Sequence, residues 1–243
     1  MSSATARRIC GRCTTSGLCL SDPDHDGACD AEGPPQLLSA DRRWAVRATD
    51  PAPALATVLV HNLQLGLFRS DPLRQMRQGL VRATNRMLRE FRASAGAGLR
   101  VIWIAQAGVG ELLPGLAVRD EDERLVKPRI SAFFGTDLDQ RLMAMSASRD
   151  VECRQLVIVA GITTHADVRS TAIDAVQRGY DVRVAVDVIG SDDPEHESIT
   201  ERWLAESRLA RVQTIAAIAD DLATLRAERA RGLRGLTADG QRR

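Results

Sequence analysis

The chain has 243 residues, enough for one sizeable core with extensions, and its 44% hydrophobic and 27% charged content is ordinary for a soluble globular protein. A formal net charge of +1 leaves no global field to draw in nucleic acid or a membrane surface, and neither is expected as a partner. No apolar run approaches the ~20 residues of a bilayer span, and Met1–Arg8 lacks the apolar stretch of a signal peptide, so a cytoplasmic protein with reduced thiols is expected.

Residues 1–50 stand apart as a Cys-rich extension and linker, with four of the five cysteines, Gly33-Pro34-Pro35 and no helical or strand period. Cys10, Cys13, Cys19 and Cys29 follow C-x2-C-x5-C-x9-C; four thiolates so close can hold a structural zinc, with His25 as a spare ligand. A standard ribbon needs a second C-x2-C, so an unliganded extension is the alternative. Asp22-Pro-Asp-His-Asp-Gly27 imitates the start of a calcium loop, but its twelfth position is Gly33 instead of Glu, which argues against calcium.

From residue 51 to 229, strand and helix signals alternate. Thr57–His61 reads as a buried strand, Asp71–Ala95 as a long amphipathic helix, and Leu99–Ala105 as a second strand. Gly108–Arg124, glycine- and proline-containing and then acidic, reads as a loop or lid, and Leu138–Ala147 as a short helix. Gln155–Ala160 is a wholly apolar strand apart from its first residue, the kind buried on both faces of a parallel sheet. Cys153, just before it, reads as an inert thiol. His165–Arg178 is a helix stopped by Gly179, Tyr180–Val186 a strand, Glu195–Arg208 a helix, Arg211–Gln213 a short strand and Ile215–Arg229 a closing helix. Residues 230–243 read as a mobile basic tail. The alternation predicts an α/β fold, a three-layer α/β/α sandwich around a doubly wound, mainly parallel sheet.

Ligands of such sheets bind beyond the carboxyl ends of strands, near the switch point. That rule selects His61, Asn62 and Gln64; Gln106 and Gly108; and the turn Gly161–Asp167. Lys127 joins them for a different reason. Of 33 basic residues it is the only lysine, and a flexible ammonium that can shift its pKa is something arginine cannot replace. A surviving surface lysine is the bland alternative.

Several ordered motifs then agree. Val58-Leu-Val-His-Asn-Leu-Gln64, Ala105-Gln106-Ala-Gly108, Val126-Lys127-Pro-Arg129-Ile-Ser131-Ala-Phe-Phe134 and Gly161-Ile-Thr-Thr-His-Ala-Asp-Val-Arg-Ser-Thr-Ala172, continued by Asp174-Ala, Gly179-Tyr and Asp187, resemble the isochorismatase-like hydrolase superfamily over about residues 57–225. His61, Gln106 and the Ser-Ala-Phe-Phe run are closest to the branch acting on isochorismate and aminodeoxyisochorismate. The resemblance implies a small-molecule substrate, a homo-oligomer, and no catalytic metal or cofactor, the Asp-x-His triad of nicotinamidases being unapparent. It also implies one of two chemistries: amidases use Asp, Lys and a nucleophilic Cys, whereas vinyl-ether members lack the Cys and protonate an enolpyruvyl methylene from the Asp.

The transfer onto this chain is incomplete. Lys127 stands at the family lysine, Asn62 at the family Asp, and Asp167 at the Cys position. An amide cannot give and recover a proton, so the paired exchange suggests that the acid has moved to residue 167, with Asp167 as proton donor or base, Lys127 as its charge partner and Asn62 in the catalytic set. A helix-capping role is the plainer reading of Asp167. Gln106, His61, Arg129, Thr163 and His165 are the expected substrate contacts. Ile130 and Thr163 replace residues that are aromatic in vinyl-ether members, so the pocket is wider or differently shaped. Three functions follow from the resemblance: acid–base hydrolysis of a chorismate-derived or related small carboxylic acid, an amidase-like reaction with Asp167 as nucleophile, or a binding protein that has lost turnover.

Overall fold

A computed structural model describes residues 54–145 and 156–240. Cys10, Cys13, Cys19, Cys29, His25, Cys153 and the calcium-like stretch lie outside those residues, and the zinc expectation with them.

Six strands form one parallel sheet: β1 (Ala56–His61), β2 (Leu99–Gln106), β3 (Glu123–Lys127), β4 (Leu156–Ile162), β5 (Asp181–Gly190) and β6 (Arg211–Gln213). Their order, β3-β2-β1-β4-β5-β6, reverses direction between β1 and β4, so the crevice beyond the carboxyl ends of that pair is the place for a ligand. Five helices complete the domain: α1 (Asp71–Ala95), α2 (Leu138–Met145), α3 (Arg169–Gln177), α4 (Pro194–Glu206) and α5 (Ile215–Gly240).

Alternation along the strands builds two cores. Val58 and Val60 of β1, Val101 and Trp103 of β2, and Ile158 and Ala160 of β4 meet Leu80, Met87, Leu88 and Phe91 of α1 and Ile218 and Leu222 of α5 on one face. Leu59, Ile102, Ile104, Val157 and Val159 meet Leu138 and Leu142 of α2, Ala172 and Ala175 of α3, and Leu204 of α4 on the other. The expected three-layer sandwich is therefore the observed one.

Several boundaries differ from the sequence reading, among them the strand read as Tyr180–Val186, which runs from Asp181 to Gly190, and the helix read from His165, which begins at Arg169. The stretch read as ending in a loop at Arg124 turns into β3 at Glu123, and Lys127 ends that edge strand instead of sitting in a connecting segment. The loop before it is held down: Asn85 bonds Gly115 and Ala117, and Asp122 accepts from Arg92, Trp103 and the Arg119 amide. The last helix runs on to Gly240 instead of stopping at Arg229, because its few glycines, each costing about 1 kcal/mol, are spaced by good helix formers.

Candidate functional site

The site is assembled by strand parity. Gln106 has the inward parity of Ile102 and Ile104, Lys127 that of Leu125, and His61 that of Leu59, so all three point to the α2–α3–α4 face. Register sets their heights. Gln106 lies beside Lys127 at the carboxyl end, while His61 is level with Ile104, one layer deeper.

Asp167 arrives from the other side of the switch point. After β4 the chain makes a π-helical turn, Thr164–Val168, before α3 begins, with the Val168 amide bonding the Thr163 carbonyl at 3.1 Å. Such widened turns occur at functional sites because they redirect one side chain. Approach of β4 to β1 requires Gly161: at φ +104° an added Cβ would lie 2.2 Å from the His61 carbonyl oxygen. The Ile162–Thr163 peptide is cis.

Lys127 is wholly buried. Its Nζ donates to Gln106 Oε1 (3.1 Å), to the carbonyls of Arg129 and Ile130 (2.9 Å each), and to Asp167 Oδ1. The other carboxylate oxygen of Asp167 accepts from the Thr163 hydroxyl at 3.0 Å and the Thr163 amide at 3.3 Å. The Asp167 side chain is 13% exposed, so solvent reaches the ion pair from the carboxylate side. Burial alone would push the Asp167 carboxyl up. The ammonium of Lys127, by hydrogen bond and by charge, together with the Asn62 amide, outweighs it and holds the group below the usual carboxylate range.

Asn62 is buried in the left-handed region at φ 57°, which an Asn tolerates better than most residues, and its Oδ1 lacks a partner among the described residues. His61 is fully buried with neither ring nitrogen partnered among the described residues. Burial first, then the nearby Lys127 charge, lowers its pKa to about 3, so the ring is neutral. These orphaned groups crowd the ends of β1 and β4.

The structure thus brings Lys127, Asp167, Asn62, Gln106, His61 and Thr163 together. Thr163 contacts Asp167 directly, a closer role than the substrate contact expected for it. Arg129 contributes its carbonyl, and its side chain is exposed at the rim. His165 does not join them. Its Nδ1 lies 2.6 Å from Ser191 Oγ and its ring 5.1 Å from that of His196, because two residues along a helical turn from Asp167 is nearly the opposite direction. Gln64 serves as a bracket, bonding Gln106 N and the carbonyls of Gln106 and Gly110. Sequence reasoning named Ser131, Thr171 and Asp174 only as parts of motifs and gave them no role in the site. Seven residues separate Asp167 from Asp174, two helical turns on one face, and that was the available signal.

Among the described residues no group of three or more His, Cys, Asp or Glu is placed to hold a metal ion, and no helix is long and apolar enough to cross a membrane. A surface hollow lined by Arg74, Arg77, Arg82 and Pro114 lies on α1, across the sheet from this cluster.

A parallel sheet of this order with a buried lysine–carboxylate pair at its switch point defines a doubly wound α/β domain, and comparison gives its family. Residues 56–217 match the isochorismatase domain, and the chain belongs to the isochorismatase family. It is 36% identical over 102 residues to the isochorismatase family protein YwoC of Bacillus subtilis, a match spanning 39% of this chain and only 50% of that relative's length. It is 29% identical over 206 residues to the phenazine biosynthesis protein PhzD1 of Pseudomonas aeruginosa, covering 74% of this chain and 89% of the relative. In fold it is similar to an isochorismatase-like hydrolase from Alkaliphilus metalliredigens (TM-score 0.58, 22% identity, 70% of this chain and 97% of that one).

Proposed function

We propose that this chain is a hydrolase working by acid–base chemistry on a small carboxylic acid, foremost a chorismate-derived vinyl ether from which it releases pyruvate. The observation that carries this reading is the only lysine of the chain, wholly buried, donating to the carboxylate of Asp167 at the sheet's switch point. Similarity to a phenazine biosynthesis protein over 74% of this chain and 89% of that relative supports this reading.

At rest Asp167 is a carboxylate, and Lys127 is its counter-ion. A substrate carboxylate entering beside it competes for Lys127 and adds negative charge, which raises the proton affinity of Asp167. The carboxyl group then delivers its proton to the terminal methylene carbon of the vinyl ether, leaving an oxocarbenium-like centre. Water adds to that centre as Asp167 takes one proton back, and the hemiketal collapses to an alcohol and pyruvate. Gln106 and Asn62 orient the substrate, and the exposed Arg129 guanidinium reaches a carboxylate at the rim.

The test is pyruvate release from isochorismate and aminodeoxyisochorismate across pH. Release is expected, with kcat/KM rising as pH falls from 8 toward 5, because a group held below the ordinary range must gain a proton before it can act. A profile that is flat over that span makes Asp167 a base only and removes the vinyl-ether route. No release from folded protein removes it as well.

One observation favours a second reading, a binding protein without turnover. Both oxygens of Asp167 are already engaged within the chain, and Asn62 cannot shuttle a proton. Calorimetric binding of the same acids without product would establish it.

A further inference from the structure

The ion pair depends on carbonyls that nothing in strand β3 itself fixes. Lys127 donates to the carbonyls of Arg129 and Ile130, which lie in the irregular segment after the strand. That segment is tied to α3, the helix that follows the π turn carrying Asp167. Ser131 Oγ donates to Asp174 Oδ2 at 2.5 Å and accepts from the Phe133 amide at 3.2 Å. One turn earlier on the same helix face, Thr171 Oγ1 accepts from the Ala132 amide at 3.0 Å. Arg178, a turn later, lies 3.8 Å from Asp174 Oδ1 and stacks 4.6 Å over the Phe133 ring. One helix is therefore the common reference for both halves of the pair: it follows directly from Asp167, and it anchors the turn that seats Lys127.

We propose that Asp174 is a positioning residue, acting through Ser131 to fix the turn whose carbonyls hold Lys127 against Asp167. The proposal rests on the acid–base reading of that pair but is tested without substrate. Asp174 touches neither Lys127 nor the reacting carboxyl. Its effect passes through a hydroxyl and two peptide units, and it is lost when the hydroxyl is lost.

The experiment titrates the Asp167 carboxyl by carbon-13 NMR in full-length Ser131→Ala, Asp174→Ala and Asp174→Asn. Asp187→Asn serves as control, since it weakens a cap elsewhere, the Asp187 carboxylate accepting from the Ile215 amide at 2.6 Å. Loosening Lys127 is expected to raise the Asp167 midpoint by about one pH unit or more in both alanine variants. Asp174→Asn, which keeps an acceptor oxygen for Ser131, holds the wild-type midpoint, and so does the control. An unmoved midpoint in Ser131→Ala overturns the proposal, as does an equal shift in Asp187→Asn. Should Asp174→Ala fail to fold, Ser131→Ala decides alone. A wild type that turns over no substrate refutes the hydrolase reading and leaves this titration valid.

Discussion

Two buried ion pairs sit on opposite faces of the same sheet, and they are built differently. Arg92 and Asp122 are 14% and 3% exposed. Nη2 of the guanidinium lies 2.7 and 2.8 Å from the two carboxylate oxygens, and Trp103 Nε1 and the Arg119 amide both donate to Oδ2. Every neighbouring polar group in that set has a partner, and the pair closes a loop onto α1 and β2. Lys127 and Asp167 are buried to a similar degree, yet the cation is a point charge on a flexible stem and the surroundings include His61 and Asn62, with polar atoms that lack partners among the described residues. A guanidinium on a carboxylate that also accepts from an indole and a backbone N–H braces the fold; an ammonium beside orphaned groups at a switch point keeps hydrogen-bonding capacity for something that is not the protein.

Substitutions should separate the two pairs. The largest effect is expected from Lys127→Ala, which removes the counter-ion of Asp167: turnover should fall by about 10²–10⁴-fold, and stability should drop as well because a mostly buried carboxylate is left alone. Steady-state kinetics with chemical denaturation reads both; near-wild-type turnover would make this pair as structural as the other. Asp122→Ala should cost about 3 kcal/mol in urea unfolding, with kcat per folded molecule unchanged. A kinetic defect there at full folding would erase the distinction.

A smaller effect belongs to His61. Its folded pKa is about 3 against an ordinary value near 6.5, so the unfolded chain binds a proton that the folded one refuses. Stability therefore falls as pH drops through that window, by about 2 kcal/mol between pH 7 and pH 5 from this group. His61→Gln should remove that part of the decline; parallel wild-type and variant curves would show that the ring is protonated in the fold. Asp167, held below its ordinary range, contributes stability that is complete above about pH 4 and is lost only in stronger acid, as pH falls through its folded value.

Much of this was legible in the chain. The runs Thr57–His61, Leu99–Ala105 and Gln155–Ala160 announce buried parallel strands because they are almost continuously apolar, and the solitary lysine marks its own position. Strand β3 was not legible. Glu123-Arg-Leu-Val-Lys127 is an edge strand that buries only Leu125 and Lys127, and a buried lysine looks hydrophilic on any scale. The π turn leaves no mark on composition, so residue order alone kept His165 beside Asp167, whereas the helical path sends it to Ser191. Asp174 and Thr171 look like ordinary polar helix positions until the fold brings the segment after β3 onto them.

The most direct test of the central claim is turnover by Asp167→Asn beside the wild type, on isochorismate and aminodeoxyisochorismate, with thermal unfolding recorded on the same samples. The account predicts a folded variant whose pyruvate release is lost by about 10²–10⁴-fold or more. Release at the wild-type rate from that variant would contradict it, and would make the buried pair a brace of the same kind as Arg92 and Asp122.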